Sequence, residues 1–247
     1  MAHVRLRGDE VDLDEPYLVE GMPGVGLVGK IATDHLVEQF DMEYYASVHC
    51  DGLPRIGVYQ DGDRTVRPPV RLYADEKRDL LALQSDVPVS AEKATEFADC
   101  VTEWIADNDV TPLYLSGRPG AKDGDGPALF GVGTENGGEW LDEQDVDVPS
   151  ENGAIAGPTG ALISRAAEND IDSVGLIVES DSQFPDPEAA RVLIDRGIAP
   201  LANVDVDVSN LVDRAEEIRE QKEKLAQRMG QADEDTSSQA QPLRMFQ

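Results

Sequence analysis

The most restrictive pattern in the chain runs from Tyr17 to Phe40, where YLVEG is followed by MPGVGLVGKIATDHLVEQF. YLVEG reads as a short strand. From Leu27 the spacing turns helical, with Val28, Ala32, Leu36 and Phe40 recurring every four residues and Ile31 beside them. Gly21, Gly24, Gly26 and Gly29 sit at the join. A strand, a glycine turn and a helix in this order open an α/β unit.

Two phosphate motifs overlap in this turn. Gly24, Gly26 and Gly29 fit G-x-G-x-x-G, and Gly24 to Lys30 fit G-x-x-x-x-G-K. The second motif needs a Ser or Thr hydroxyl for Mg²⁺ where Ile31 stands, and Pro23 removes a backbone N–H just before the loop. The first needs an acidic residue about 20 positions on, at the end of a second strand; Glu43 and Asp51 lie near there, but MEYYASVH is poorly matched to that role. The favoured reading is conformational. Gly21, Gly24 and Gly26 permit positive φ, and Gly29 lets the helix approach the sheet. Backbone N–H groups at Gly24, Gly26 and Gly29, with Lys30, could still form an anion-binding turn at the helix N-terminus.

Further along, MEYYASVH and RIGVYQ are strand-like by their aromatic and β-branched content. Pro68 and Pro69 mark VRPPVRLYAD as an edge or bulged strand, and LLALQ as a buried strand follows. Ser90 can cap a helix from Ala91 to about Ala106, with Ala94, Phe97, Ala98, Val101 and Ile105 on one stripe. PLYLSG and ALFGVG read as strands around the surface loop GRPGAKDGDGP. ENGGEWLDEQDVDVPSENG reads as irregular and exposed. A glycine turn leads into a helix around Thr159 to Asn169, SVGLIVES is a central strand by its apolar run, and DPEAARVLIDRGI is a helix with Pro187 in its first turn. Strands alternating with helices of about 11–16 residues predict a three-layer α/β/α sandwich with a mixed sheet.

Composition narrows the function. The 247 residues carry 50 Asp and Glu against 21 Lys and Arg, a net charge of −29, spread along the whole chain. Such a surface suits a partner with a basic surface or, the favoured reading, molar salt, where repulsion is screened within about 3 Å. It opposes binding to nucleic acid, which needs clustered Lys and Arg. No window approaches about 18 consecutive apolar residues, so no membrane span is expected. MAHVRLRGDEVDLDEP has no apolar core, so no secretory signal is read and a cytoplasmic location is expected. Cys50 and Cys100 form no C-x-x-C pattern, and Cys100 reads as a small core residue. His3, His35 and His49 are far apart, so no His-rich metal site is assigned, although a carboxylate site for Mg²⁺ stays open. Ser116, Ser180 and Ser182 lack the G-x-S-x-G setting. No catalytic residue and no cofactor is assigned.

The texture changes after Val208. Residues 209–230 read as one long helix, started by Ser209 or Asn210 and stopped by Gly230. Leu211, Ala215, Ile218, Leu225 and Met229 form a seam that suits contact between subunits or docking on the same domain. Residues 231–247 form a flexible tail, in which QADEDTSSQAQP is a linker without apolar content and LRMFQ closes the chain.

EGMPGVGLVGKIATDHLVEQF, with GAIAGPTGALISRAAENDIDSVGLIVES and PDPEAARVLIDR in that order, resembles the PAC2 family, the proteasome assembly chaperone family, over roughly residues 10–200. The net charge marks a haloarchaeal-type member. The resemblance implies a nucleoside-phosphorylase-like α/β/α domain over residues 1–208 without an established catalytic site. It also implies a non-catalytic assembly chaperone or adaptor that binds proteasome α-subunits or the α-ring. Proteasome activators and some assembly chaperones end in a hydrophobic residue, a tyrosine and any residue, with the free carboxylate as part of the signal. Met245, Phe246 and Gln247 are similar to that pattern, with Phe in place of Tyr. Burial of Met245 and Phe246 in a slot between subunits would contribute about 1.5–3 kcal/mol each, and the carboxylate of Gln247 would pair with a lysine. One tail is weak; several, on linkers reaching about 20 Å, gain by avidity, which implies a homo-oligomer. The alternative is a phosphorylase-like or hydrolase-like enzyme acting on a nucleoside or small anionic substrate, with Arg118 as a candidate anion ligand.

Overall fold

The computed structural model describes residues 3–7, 11–50, 53–59, 62, 64–120 and 126–211. Its strands are β1 (His3–Leu6), β2 (Tyr17–Gly21), β3 (Glu43–His49), β4 (Val70–Asp75), β5 (Leu80–Ser85), β6 (Thr111–Pro119), β7 (Leu129–Thr134) and β8 (Ser173–Ser180). They form one mixed sheet in the order β1-β3-β4-β5-β2-β6-β8-β7. The centre is parallel, β2 lying between β5 and β6, and β6 pairing with β8. Both flanks are antiparallel, with β7 closing on β8 and the β5-β4-β3-β1 side turning back at each step.

Helices cover both faces. On one side lie α1 (Val28–Gln39), α3 (Gly137–Glu143) and α5 (Pro187–Leu193), and their buried residues join Val19, Leu113, Leu115 and Leu176 in one core. On the other lie α2 (Ala94–Asp107) and α4 (Gly157–Glu168), packed with Leu18, Leu81, Leu83 and Tyr114 in a second. This is the three-layer α/β/α sandwich that the alternating pattern predicts. α5 continues through a π turn (Ile194–Ile198) into α6 (Ala199–Leu201), where Pro200 has no N–H to return to the preceding turn. Among the described residues, no helix is long and apolar enough to cross a membrane.

Five helices end in the same way. Asp41, Asp109, Asp145, Asp170 and Asn203 take positive φ just past α1, α2, α3, α4 and α6. The next residue, Met42, Val110, Val146, Ile171 or Val204, returns its N–H to Val37, Ile105, Leu141, Ala166 or Ala199 at 3.0–3.2 Å. This closes a Schellman motif in which Asp or Asn replaces the usual glycine.

Four expectations need correction. VRPPVRLYAD is not an edge strand: β4 is hydrogen-bonded on both sides and wholly buried, because both prolines fall before its first residue. The bulge lies in β3, between Tyr44 and Ala46. RIGVYQ makes no strand among its described residues, only the isolated bridge of Val58 with Arg67. ENGGEWLDEQ is not irregular but holds α3, whose Leu141 is buried. Finally, Ser90 lies at the start of a 3-10 turn (Ala91–Lys93) preceding α2, and its side chain makes no capping bond. The long helix expected over 209–230 lies outside the described residues beyond Leu211, which is fully buried in the α1 face core.

Candidate functional site

The glycine turn after β2 is wedged between neighbours. Positive φ falls on Gly26 and on Leu27, not on Gly21 or Gly24; Gly24 is extended, with φ −143°. A side chain at Gly26 would run into Ser180 Oγ, and one at Gly29 would press on Leu115 and on the carbonyls of Glu20 and Met22. Gly29 thus brings α1 close to the sheet, as the sequence predicts. The turn is fastened to the start of α5: Asp186 donates its N–H to the Gly26 carbonyl at 2.8 Å. The Asp186 carboxylate accepts from Ser180 Oγ, Asp181 N and Ala189 N at 3.0–3.2 Å.

Beside this turn, at the C-terminal ends of the parallel strands, opens a cleft of about 940 Å³ on the α4 face. Such strand ends are where open α/β sheets bind their ligands. Ser116 and Arg118 of β6, Phe130 and Val132 of β7 and Ile177 of β8 line it, with Gly24 and the segment from Pro149 to Thr159. Arg118 belongs to β6, which runs on to Pro119, rather than to a surface loop. Its guanidinium pairs with Glu179 at 2.8 Å and lies 4.3 Å from the centre of the Phe130 ring.

Glu20 anchors the wall between turn and cleft. It is fully buried on the α4 face of β2. Its carboxylate accepts from Met22 N at 3.2 Å, Leu115 N at 3.3 Å and Thr159 Oγ1 at 3.1 Å. It therefore ties the glycine turn, β6 and the start of α4 together. Burial pushes its pKa up to about 7, against the pull of these three donors. Burial, then the Glu20 charge, also raises the pKa of Tyr114 on the neighbouring strand. In the sequence Glu20 carries one signal, a carboxylate inside a strand on the same face as Leu18.

Lys30 is not on this face. Its ammonium lies 2.9 Å from Asp34 and 3.5 Å from Asp86, and it does not line the cleft. It belongs to a cluster on the α1 face around Arg71, whose side chain is 1 % exposed. Arg71 donates to Tyr73 Oη at 3.1 Å, the Pro68 carbonyl at 2.7 Å and Gln84 Oε1 at 3.0 Å, and pairs with Asp86 at 2.6 Å. Gln84 in turn donates to Asp34. Burial alone would lower the Arg71 pKa; Asp86 and Tyr73 outweigh it and hold the guanidinium above its ordinary value. The turn residues Gly24, Gly26 and Gly29 are thus adjacent in space, while Lys30 spends its charge on two carboxylates.

Among the described residues, no group of three or more His, Cys, Asp and Glu side chains could hold a metal ion. Met245, Phe246 and Gln247 lie outside the described residues.

The fold is thus a mixed α/β/α sandwich with a cleft at its parallel strand ends and a glycine turn fastened under α5. The chain belongs to the PAC2 family, whose model matches residues 18–226. A protein of Methanocaldococcus jannaschii is 26% identical over 219 residues, 88% of each chain. Among solved structures, the chain is similar to Pyrococcus furiosus PbaA, an archaeal homolog of proteasome-assembly chaperone. The TM-score is 0.80 at 24% identity, covering 96% of each chain. It is also similar to Pyrococcus furiosus PbaB, an archaeal proteasome activator, with a TM-score of 0.77 at 20% identity, covering 91% of this chain and 98% of that one.

Proposed function

We propose that this chain is a non-catalytic proteasome assembly chaperone or adaptor. It binds proteasome α-subunits or the α-ring, works as a homo-oligomer, and docks through Met245, Phe246 and Gln247. The observation that carries the reading is membership of the PAC2 family across nearly the whole α/β domain. Likeness to two Pyrococcus furiosus proteins described as a chaperone homolog and a proteasome activator supports it. The site chemistry is consistent with a scaffold. Glu20, Arg71 and Arg118 all have their partners within the chain, and their bonds hold strands, turn and helices in place.

The tail supplies the adhesion. An apolar pair at the end of a polar linker gains only a few kcal/mol per copy. Several copies on one oligomer raise the local concentration of the remaining tails once one has engaged. The test is co-sedimentation of the full chain with archaeal α-rings in molar salt. The intact protein is expected to pellet with the rings, and deletion of Met245 to Gln247 to weaken binding at least about tenfold, the equivalent of about 1.4 kcal/mol. Absence of binding by the intact protein overturns the function. Undiminished binding after the deletion overturns the role of the tail alone.

A further inference from the structure

The chain has two cysteines, 50 positions apart, and the fold brings them together. Cys50 follows the last residue of β3, Cys100 lies in the middle of α2, and both belong to the core between the sheet and α2. Both stand as thiols, and the Cys50 side chain is in hydrogen-bond contact with the Cys100 sulfur. Their settings differ. Cys50, 9% exposed, lines a cleft of about 600 Å³ together with His49, Leu53 and Pro68. Cys100 is 4% exposed and does not line that cleft.

We propose that Cys50 and Cys100 form a reversible intramolecular disulfide in response to hydroperoxide, a redox-sensitive staple between the end of β3 and α2. The Cys50 thiolate, at the cleft, attacks one oxygen of hydrogen peroxide. The O–O bond breaks, hydroxide leaves, and Cys50 becomes a sulfenic acid. The Cys100 sulfur then attacks the Cys50 sulfur. The S–S bond forms, the S–O bond breaks, and the oxygen leaves as water with the thiol proton. The sum is two thiols and one peroxide giving one disulfide and two waters, with the two sulfurs giving up two electrons to the peroxide. In the reduced pair the hydrogen bond with Cys50 lowers the Cys100 pKa, against burial and the charge of Glu103, which favours one thiolate shared with one thiol; with the proton on Cys100, Cys50 is the thiolate. In a reducing cytosol such a bond forms transiently and is returned to thiols by exchange with a dithiol.

The experiment uses the full chain, reduced and then exposed to a small excess of hydrogen peroxide, denatured and treated with N-ethylmaleimide. Reduced protein is expected to take two labels. Oxidised protein is expected to take none, to have lost the mass of two hydrogens, and to yield a Cys50–Cys100 peptide that dithiothreitol separates. Two labelled thiols after peroxide, sulfinic acids in place of the cross-linked peptide, or disulfides between chains would each overturn the proposal. In Cys100→Ser the reaction is expected to stop at a Cys50 sulfenic acid that dimedone traps. Failure of dimedone to label Cys50 in this variant rejects Cys50 as the entry thiol and the proposal with it.

Discussion

The two faces of the sheet bury charge in opposite ways. On the α4 face, Glu20 is fully buried and held by two backbone N–H groups and one hydroxyl, none of them charged. On the α1 face, Arg71 is equally buried but meets Asp86, with Lys30 and Asp34 behind it. A buried charge without a counter-ion lowers its cost by changing its protonation state. One with a counter-ion stays charged, and its cost reappears only when the partner is taken away. On one face burial acts on the protonation of Glu20; on the other a counter-ion keeps Arg71 charged.

The largest effect expected from breaking this contrast is that of Asp86→Ala. The variant leaves Arg71 charged among neutral acceptors and should lose about 3–5 kcal/mol of stability, measured by denaturant unfolding in high salt. A loss under about 1 kcal/mol would mean that the neutral acceptors suffice. Glu20→Gln sharpens the other side. The folded pKa of Glu20, about 7, exceeds its ordinary value of 4.5, so between these two pH values the folded chain binds more protons than the unfolded one. Raising the pH through that window removes stability, on the order of 3 kcal/mol in all. Below the window this cost is absent. The stability of wild type relative to Glu20→Gln should therefore fall from about pH 4.5 to 7 and level off above; a flat difference curve would rule out a titrating Glu20. The smallest effect belongs to Lys30→Met. Lys30 is partly exposed and adds a second cation to an Asp86 that Arg71 already neutralises. Its loss should cost less than about 1 kcal/mol; a larger loss would make Lys30, not Arg71, the main support of Asp86.

What the sequence made legible were elements whose side chains repeat with one period. The helical spacing from Val28 to Phe40 and the apolar run of SVGLIVES each led to the observed element, and Gly29 to its packing role. What it hid depended on partners far along the chain. Glu20 looks like a solvated strand residue until Leu115 and Thr159 are placed beside it. Lys30 looks like a phosphate ligand until Asp86, 56 positions later, reaches it. α3 was obscured because Gly137 and Gly138 open it, whereas the buried contact of Leu141 decides the matter. RIGVYQ has strand composition, but its described residues find no strand to pair with beyond one bridge. The helix ends carry a local signal, as FDM, NDV, QDV, NDI and ANV all set Asp or Asn before an apolar residue.

Those helix ends carry a consequence of their own. A left-handed residue is needed at each, and four of the five are aspartates where a glycine would bring no charge. Each carboxylate stands at the negative end of its helix dipole, an unfavourable pairing that dissolved ions screen. Lowering the salt therefore weakens the final turns of α1, α2, α3 and α4 by unmasking that pairing.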